Sequence, residues 1–247
     1  QRDHRAFRMA PSGVRADKKL AMLTVRKDGL ALQFAPAALM EDRDVVATAV
    51  KNQGCALKFA DLDMKADKEL VLEALKSDGM ALQFAARRLQ EDPEVISAAL
   101  QQNGMALSLV QRRFRDRREF VLLAVSQNGM ALEFSNPLLK RDREVALKAI
   151  ESNTQAMQVV DPYLKADPEF MMQAIAIHGA AMQYAASYLR SDPGFVMKAL
   201  EKNVWSFGGA ARELRSDPEF VLLGMLKNSM ALEFATAELR SDRQFHQ

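Results

Sequence analysis

The sequence predicts an all-α protein, an α-solenoid of nine short-helix repeats of 25 residues each. Three observations support this prediction. An aspartate recurs every 25 residues, a glycine follows most of these aspartates after twelve residues, and an Ala-Leu pair begins two residues after the glycine slot. Because so short a unit cannot bury its apolar face alone, the repeats must stack, and we expect an elongated or curved superhelix.

Each repeat begins with the signals of a helix N-terminus. The recurring aspartates supply an oxygen that accepts from the first free N–H groups of a helix, and four of them are followed by proline, which suits the first helical position. We therefore expect a helix of about ten residues, called helix A, after each aspartate. Arg117 occupies the one slot without aspartate. The aspartates are Asp17, Asp42, Asp67, Asp92, Asp142, Asp167, Asp192, Asp217 and Asp242.

The apolar residues of helix A lie three, four, seven and eight positions after the aspartate slot, as in Phe120, Val121, Ala124 and Val125. This spacing places them on one face of a helix, so they are predicted to form the core. The third of these positions is alanine in seven repeats. A side chain this small allows a neighbouring backbone to approach closely.

The glycine slot follows Asn or Asp, as in Asn103-Gly104, and we expect this glycine to end helix A in the left-handed conformation. The second half of the repeat, for example residues 81–89, also has helical spacing of its apolar residues. Pro36, Pro137 and Pro162 fall inside this half. It is therefore either one helix or two short turns or 3₁₀ segments.

The repeat register divides the chain into three parts. Residues 1–16 match the second half of a truncated preceding repeat, residues 17–241 contain the nine tandem repeats as one solenoid domain, and residues 242–247 begin a further repeat. We expect the chain to be a section of a longer array.

The composition is that of a folded protein with balanced charge, since 34 Lys and Arg face 32 Asp and Glu. A formal net charge of +2 does not predict binding to nucleic acid or to an anionic membrane. Cys55 is the single cysteine, which favours an intracellular, reducing environment and excludes an internal disulfide. No apolar run has the length of a transmembrane segment, about 18 to 20 residues.

The repeat consensus resembles the DUF4116 repeat, a domain of unknown function. It reads Asp-x-Glu-Val-Val-Leu-x-Ala-Val-x-x-Asn-Gly-x-Ala-Leu-x-Phe-Ala, and its clearest copies are residues 67–85 and 117–134. The resemblance covers the whole chain and implies an α-solenoid, with no catalytic residue to carry over. Residues 142–166 and 192–216 depart from the pattern at the glycine and aromatic slots.

No motif predicts catalysis, a cofactor or a metal site. His4, His178 and His246 are dispersed along the chain, and the acidic residues are explained by helix capping. The glycines recur with the repeat and do not form a phosphate-binding loop. We therefore expect neither an enzyme nor a small-molecule substrate.

Two features are candidates for partner binding. The first is a cationic ladder just before the aspartate slots, in which each charge either contacts an anionic partner or neutralises the acidic residue four positions later, as Lys65 with Glu69. The second is Trp205 and Phe207 in a divergent repeat, which either anchor a partner or repack locally. The ladder residues named as partner contacts are Arg115, Lys140, Lys165, Arg190 and Arg215.

These features predict a non-catalytic scaffold or protein interaction solenoid that acts within a larger complex. Two alternative functions stay open. In the first, the array is an accessory region of a longer multidomain and possibly enzymatic polypeptide. In the second, the array binds anions or nucleic acid through the ladder, although the balanced charge disfavours this second alternative.

Overall fold

The computed structural model describes residues 3–241, with side chains from residue 6 onward. This part of the chain contains helices and no strand, so the fold is an all-α solenoid, as predicted. We number the repeats from 1 (residues 17–41) to 9 (residues 217–241). The expected start of a further repeat at residues 242–247 lies outside the described residues.

Helix A is ten residues long in every repeat, which confirms the predicted length. The nine helices A are Lys18–Lys27, Arg43–Asn52, Lys68–Ser77, Pro93–Gln102, Arg118–Gln127, Arg143–Ser152, Pro168–Ile177, Pro193–Lys202 and Pro218–Lys227.

The second half of each repeat consists of two elements, a 3₁₀ segment and a short α-helix called helix B. The 3₁₀ segments are Gly29–Phe34, Gly54–Phe59, Gly79–Phe84, Gly104–Leu109, Gly129–Phe134, Thr154–Gln158, Gly179–Tyr184, Val204–Gly209 and Ser229–Phe234. The helices B are Ala37–Met40, Leu62–Ala66, Arg87–Gln90, Arg112–Arg115, Pro137–Lys140, Pro162–Lys165, Ser187–Arg190, Arg212–Ser216 and Ala237–Ser241.

The backbone is extended between these two elements, which answers the question that the sequence left open. Ala35, after the first 3₁₀ segment, has φ −72° and ψ 150°. Its neighbour Pro36 restricts the preceding residue to this region, and repeats without a proline adopt the same geometry. Before repeat 1, the helix Ser12–Arg15 occupies the helix B position, but Asp3–Met9 is α-helical where the repeats have 3₁₀ segments.

The aspartate slots are the N-caps of helices A, as predicted. Asp42 Oδ1 accepts hydrogen bonds from the backbone N–H groups of Asp44 and Val45, at 3.0 and 3.3 Å. Arg117 makes no side-chain cap, so helix A of repeat 5 starts without this bond. The aspartate caps account for the start of the other eight helices A in register with the sequence repeat.

The predicted apolar face of helix A is confirmed as the core. In repeat 2, Val45, Val46, Ala49 and Val50 are fully buried, and the Ala-Leu pair of the 3₁₀ segment is buried beside them. Burial of one such side chain contributes roughly 1.5 to 3 kcal/mol. Because every repeat adds to this core, a single repeat is not an independent folding unit.

The contacts divide the chain into two compact units, unit 1 up to Phe134 and unit 2 from Ser135 onward. Within each unit, helix A packs against helix A and the 3₁₀ segment against the 3₁₀ segment of the adjacent repeat. The assignment of residues 17–241 to one solenoid domain stays a prediction.

The prediction of left-handed glycines at the helix ends is wrong. None of the described glycines has a positive φ. Steric space requires glycine instead, because a Cβ atom on Gly29, Gly54 or Gly79 would lie 2.3 to 2.5 Å from a backbone carbonyl oxygen of the next repeat. That oxygen belongs to the recurring alanine of helix A, which is Ala49 in the case of Gly29. The 3₁₀ segment therefore rests directly on the backbone of its neighbour.

The same close approach creates hydrogen bonds between repeats in unit 1. The N–H groups of Gly29, Gly54, Gly79 and Gly104 each donate to the side chain at the last position of the next helix A. Gly29 donates to Asn52 Oδ1 at 2.9 Å, and Gly79 donates to Gln102 Oε1 at 2.6 Å. The amide of Asn52 also donates to the carbonyl oxygen of Arg26, at 3.1 Å, so one side chain joins two elements of the preceding repeat.

Ion pairs link the starts of consecutive helices A. Arg43, the first residue of its helix, lies 2.9 Å from the cap Asp67 and 2.8 Å from Glu69 of the next repeat. Lys18 pairs in the same way with Asp42 and Asp44. The hydrogen bond from Lys18 lowers the pKa of Asp42. For Asp67, burial alone would raise the pKa, but the hydrogen bond and charge of Arg43 together with the backbone hydrogen bonds from Leu70 and Glu69 lower it.

We predict that Gly79→Ala destabilises the protein by about 1 to 3 kcal/mol, because the added methyl group overpacks the contact with the Ala99 carbonyl. Gly13→Ala is the control, since a Cβ atom there meets nothing within 4 Å. It should leave stability unchanged or raise it by about 0.4 to 1 kcal/mol. Urea unfolding followed by circular dichroism measures both. Equal effects of the two substitutions would contradict the close approach.

We predict that Arg43→Gln lowers stability at about pH 6 by about 0.2 to 1 kcal/mol, the range of exposed ion pairs. The folded-state pKa of Asp67 lies below its ordinary 3.8, so its contribution is present above that pH and is lost as the pH falls through the folded pKa. The difference from the parent protein in urea unfolding should therefore decrease as the pH is lowered below 3.8 and the carboxyl becomes protonated in both states. Lys19→Gln, at an exposed lysine for which the described residues offer no ion pair, should show no such pH dependence.

Candidate partner-binding surfaces

Three side chains of the cationic ladder donate hydrogen bonds to backbone carbonyl oxygens. Lys165 Nζ donates to the carbonyl oxygen of Gln158 at 3.1 Å, and Arg190 Nε donates to that of Gly209 at 2.8 Å. Arg215 donates to two carbonyl oxygens at the ends of 3₁₀ segments, at 3.1 and 3.2 Å. These carbonyls are left without an intrahelical partner where the 3₁₀ segment ends, so the ladder satisfies them.

The other two named ladder residues are also half-buried. Arg115 has a buried Nε atom without a hydrogen-bond partner among the described residues. The carbonyl oxygen of Lys140 accepts from the N–H group of Asp161 at 3.1 Å, and the same backbone bond joins consecutive helices B elsewhere. Burial lowers the pKa of Lys165. Three of the five named ladder residues, Lys165, Arg190 and Arg215, thus use their side chains to bind backbone carbonyl oxygens.

The acidic residues of the first helical turn have partners other than the ladder. Glu69 pairs with Arg43 of the preceding repeat. The four-residue spacing suggests that Lys65 neutralises Glu69, but the ion pair that Glu69 forms is with Arg43 on the preceding helix A. The four-residue spacing does not reveal this, because Lys65 and Glu69 lie on two different helices that are separated by the extended Asp67.

The structure separates Trp205 from Phe207. Trp205 is 60% exposed, and its ring makes an edge contact with Phe234 at 5.5 Å between centroids. Phe207 is fully buried and stacks on Phe220 at 5.8 Å. Phe207 therefore belongs to the core, whereas Trp205 is accessible and stays a partner-binding prediction.

Two glycines lie near this divergent segment. A Cβ atom on Gly209 would lie 2.6 Å from the backbone nitrogen of Gln183, so glycine at this position permits the close approach of the preceding 3₁₀ segment. Gly224 replaces the recurring alanine, and a Cβ atom there would make ordinary contact with the ring of Phe207, at 3.5 Å.

The slot after the glycine is half-buried or exposed. It holds Met80, Met105 and Met130 in unit 1 and the exposed Trp205 in unit 2. Cys55 occupies the same slot, and burial raises the pKa of its thiol. A raised pKa reduces the thiolate fraction, so Cys55 is a packing residue with low nucleophilicity.

An exposed apolar surface on the helices B of unit 2 went unnoticed in the sequence. We call it the B ridge, and it consists of Leu138, Tyr163 and Tyr188, the second residues of three consecutive helices B. Their exposures are 80%, 61% and 56%. The equivalent residues of unit 1 include Asp63, Arg88 and Arg113. The sequence signal for this surface is therefore a position that is charged in these repeats and becomes apolar in three successive repeats of unit 2.

The tyrosines of the B ridge are fixed by the preceding repeat. The guanidinium of Arg141 lies 3.8 Å from the centroid of the Tyr163 ring, and the hydroxyl of Tyr188 donates to the carbonyl oxygen of Ala166. Arg88 in unit 1 makes the equivalent bond to Ala66 at 2.7 Å. A side chain at this position therefore contacts the last residue of the preceding helix B or the one just after it, which orders both rings.

The described residues contain no group of three or more His, Cys, Asp and Glu side chains arranged to hold a metal ion. His178 is exposed and its side chain makes no cap hydrogen bond. No helix in the described part of the chain has both the length and the apolar character needed to cross a membrane.

We predict that Arg215→Met destabilises the protein by about 1 to 2 kcal/mol, because it removes charged donors from two carbonyl oxygens while keeping the apolar stem. Arg212→Met is the control, since Arg212 makes an exposed ion pair with Glu238, worth about 0.2 to 1 kcal/mol. Urea unfolding compares the two variants. A loss at Arg215 no larger than that at Arg212 would argue against the backbone role of the ladder.

Comparison with known families gives a match to the model described as a domain of unknown function, DUF4116. No curated protein and no solved structure matches the chain. The family matches span residues 17–65, 67–115, 117–165 and 167–215. Each match begins at an N-cap slot and ends at a ladder residue, so each contains two of the 25-residue repeats. The matches cover most of the chain, which therefore belongs to the DUF4116 family.

Proposed function

We propose that this chain is a non-catalytic interaction solenoid that binds a protein partner on the B ridge of unit 2. The observation that carries the proposal is the exposure of Leu138, Tyr163 and Tyr188 at one repeated position. Core packing does not require apolar side chains there, because other repeats hold charged residues at the same position.

The restricted side-chain mobility of Tyr163 and Tyr188 supports this proposal. An exposed side chain normally loses rotamer freedom when it binds, which costs about 0.5 to 1.5 kcal/mol per residue. Arg141 and the Ala166 carbonyl already restrict Tyr163 and Tyr188. Ordered aromatic side chains are typical anchors of protein interfaces.

The regular bonding between the helices B of neighbouring repeats also supports the proposed partner site. Neighbouring repeats of unit 2 are joined by backbone bonds between helices B, such as Ala186 N–H to Lys165 O at 2.9 Å. Side chains at successive B positions are therefore held at fixed intervals. A partner that contacts several repeats can use this spacing without an ordering step.

We predict that a photo-crosslinking residue at Tyr163 captures a discrete protein from a lysate of the cells that encode this chain. p-Benzoylphenylalanine replaces Tyr163 in one sample and Leu62, which is 76% exposed on a helix B of unit 1, in the control. Unlabelled parent protein should compete with the Tyr163 crosslink, and a Tyr163→Ala, Tyr188→Ala double variant should not. The same band pattern at both positions, or no band at either, would refute a specific partner on the B ridge.

A further inference from the structure

We propose that five arginines of unit 1 form a second interaction surface, which binds a segment of a partner protein rich in aspartate and glutamate. We call it the arginine surface. It consists of the first two residues of helix B in repeats 3 and 4 and the residue in the cap slot of repeat 5, which are Arg87, Arg88, Arg112, Arg113 and Arg117. This inference does not depend on the B ridge of unit 2.

The fold does not require positive charge at these positions. The first two residues of helix B are alanines in repeat 1 and Leu62 and Asp63 in repeat 2. The cap slot holds aspartate in the other eight repeats. Because the five arginine side chains are exposed, they do not belong to the core. Arginine at these positions therefore calls for an explanation outside the packing of the repeats.

A carboxylate of the chain already lies between two of these arginines. Glu91 follows helix B of repeat 3, and its carboxylate accepts a hydrogen bond from Arg113 Nη2 of the next repeat and lies 3.5 Å from Arg87 Nε. Gln111, the residue before helix B of repeat 4, donates to the same carboxylate at 2.6 Å. Guanidinium groups from neighbouring repeats therefore receive one carboxylate together, and the carboxylate is the group that we assign to the partner.

The acidic residues of the chain neutralise the arginine surface incompletely. Among the described residues, its ion pairs involve three carboxylates, those of Glu91, Asp116 and Glu119. Arg88 has no ion pair in this part of the chain and donates to a backbone carbonyl instead. The five arginines thus exceed their acidic partners by two charges, which is as large as the formal net charge of the whole chain, +2. Such a local excess attracts an anionic partner.

The ion pairs are loose at the two most exposed arginines for which an ion pair is formed. The side chains of Arg87 and Arg112 are 87% and 86% exposed, and their Nε atoms lie 3.5 and 3.7 Å from the carboxylate oxygens. A charge-assisted hydrogen bond is shorter, about 2.7 to 2.9 Å. Both guanidinium groups can therefore turn to a carboxylate of a partner and bind it through two parallel N–H groups, which the planar arginine fork permits.

The surroundings favour an acidic protein segment over nucleic acid. Three carboxylates lie among the arginines, so a continuous phosphate backbone would meet repulsive charges that a peptide can avoid by its spacing of acidic residues. The aromatic rings that Arg113 and Arg117 contact are those of Phe114 and Phe120, and both rings are buried. They offer no surface on which a base could stack.

The test measures binding of a fluorescein-labelled acidic peptide to the complete 247-residue chain by fluorescence anisotropy. In the peptide, glutamates and aspartates alternate with glycine and serine, and the control peptide replaces each acid by its amide. We expect saturable binding of the acidic peptide and roughly ten-fold or more weaker binding of the amide peptide. The affinity for the acidic peptide should fall between about 50 and 150 mM salt, because exposed charges are screened.

Two double variants of equal net charge locate the binding site. Arg87→Gln with Arg112→Gln removes two exposed charges of the arginine surface and should weaken binding of the acidic peptide about five-fold or more. The matched control is Arg26→Gln with Lys51→Gln, at two exposed positions on the helices A of repeats 1 and 2. Its affinity should stay within about two-fold of the parent protein, because its charges lie outside the arginine surface. Thermal unfolding by circular dichroism verifies that both variants are folded.

The inference is overturned if the acidic peptide fails to bind at about millimolar concentration, binds no better than the amide peptide, or loses the same affinity in both double variants. A single-stranded oligodeoxynucleotide of the same charge as the acidic peptide is the comparison ligand. If it binds more tightly than the peptide and is weakened by the same arginine variant, the surface is a nucleic-acid site and the inference is wrong. Peptide binding that only the arginine variant weakens supports the inference.

Discussion

The structure depends on the close approach of each 3₁₀ segment to the backbone of the next helix A. In unit 1 the contact brings Gly29 and its equivalents against the carbonyl of the recurring alanine, with no space for a Cβ atom. The approach sets the distance between neighbouring repeats and brings the glycine N–H within reach of side chains such as Gln102. The close approach of these segments therefore buries the core, allows the glycine N–H groups to form hydrogen bonds, and sets the distance between repeats in unit 1.

Unit 2 keeps glycine at only one of its four slots, Gly179, where a Cβ atom would lie 2.5 Å from Asn203 Oδ1 and 2.7 Å from Trp205 Cβ. The other three slots hold Thr154, Val204 and Ser229, whose side chains have space there. Ile177 and Lys202 occupy the positions of the amide acceptors of unit 1, and neither side chain carries an acceptor. The interface between these repeats therefore relies more on packing and less on hydrogen bonds. Such exchanges explain why the repeats diverge in sequence without an insertion.

The parts of the fold that local chemistry determines were predictable. N-caps such as Asp42 and the apolar face of helix A depend on residues within one repeat, and the sequence displays both directly. The role of Gly79 was not predictable, because a close approach and a left-handed turn demand the same residue. The direction of Arg190 depends on a carbonyl 19 residues away. Trp205 and Phe207 differ in burial although they are two residues apart in one 3₁₀ segment, because three residues per turn place them about 120° apart around its axis.

The B ridge shows how this architecture separates stability from recognition. The constrained positions are the caps, the glycine slot and the core, where substitutions disturb the contact between repeats. The second position of helix B is exposed and tolerates Arg88, Glu213 and Tyr188 within the same backbone. Three successive apolar residues at this position expose hydrophobic surface, and a partner would cover that surface. Their side chains do not contribute to the core. A repeat array can therefore change its partner by changing this position, while backbone bonds such as Asp161 N–H to Lys140 O and Ala186 N–H to Lys165 O connect the helices B that carry the binding side chains.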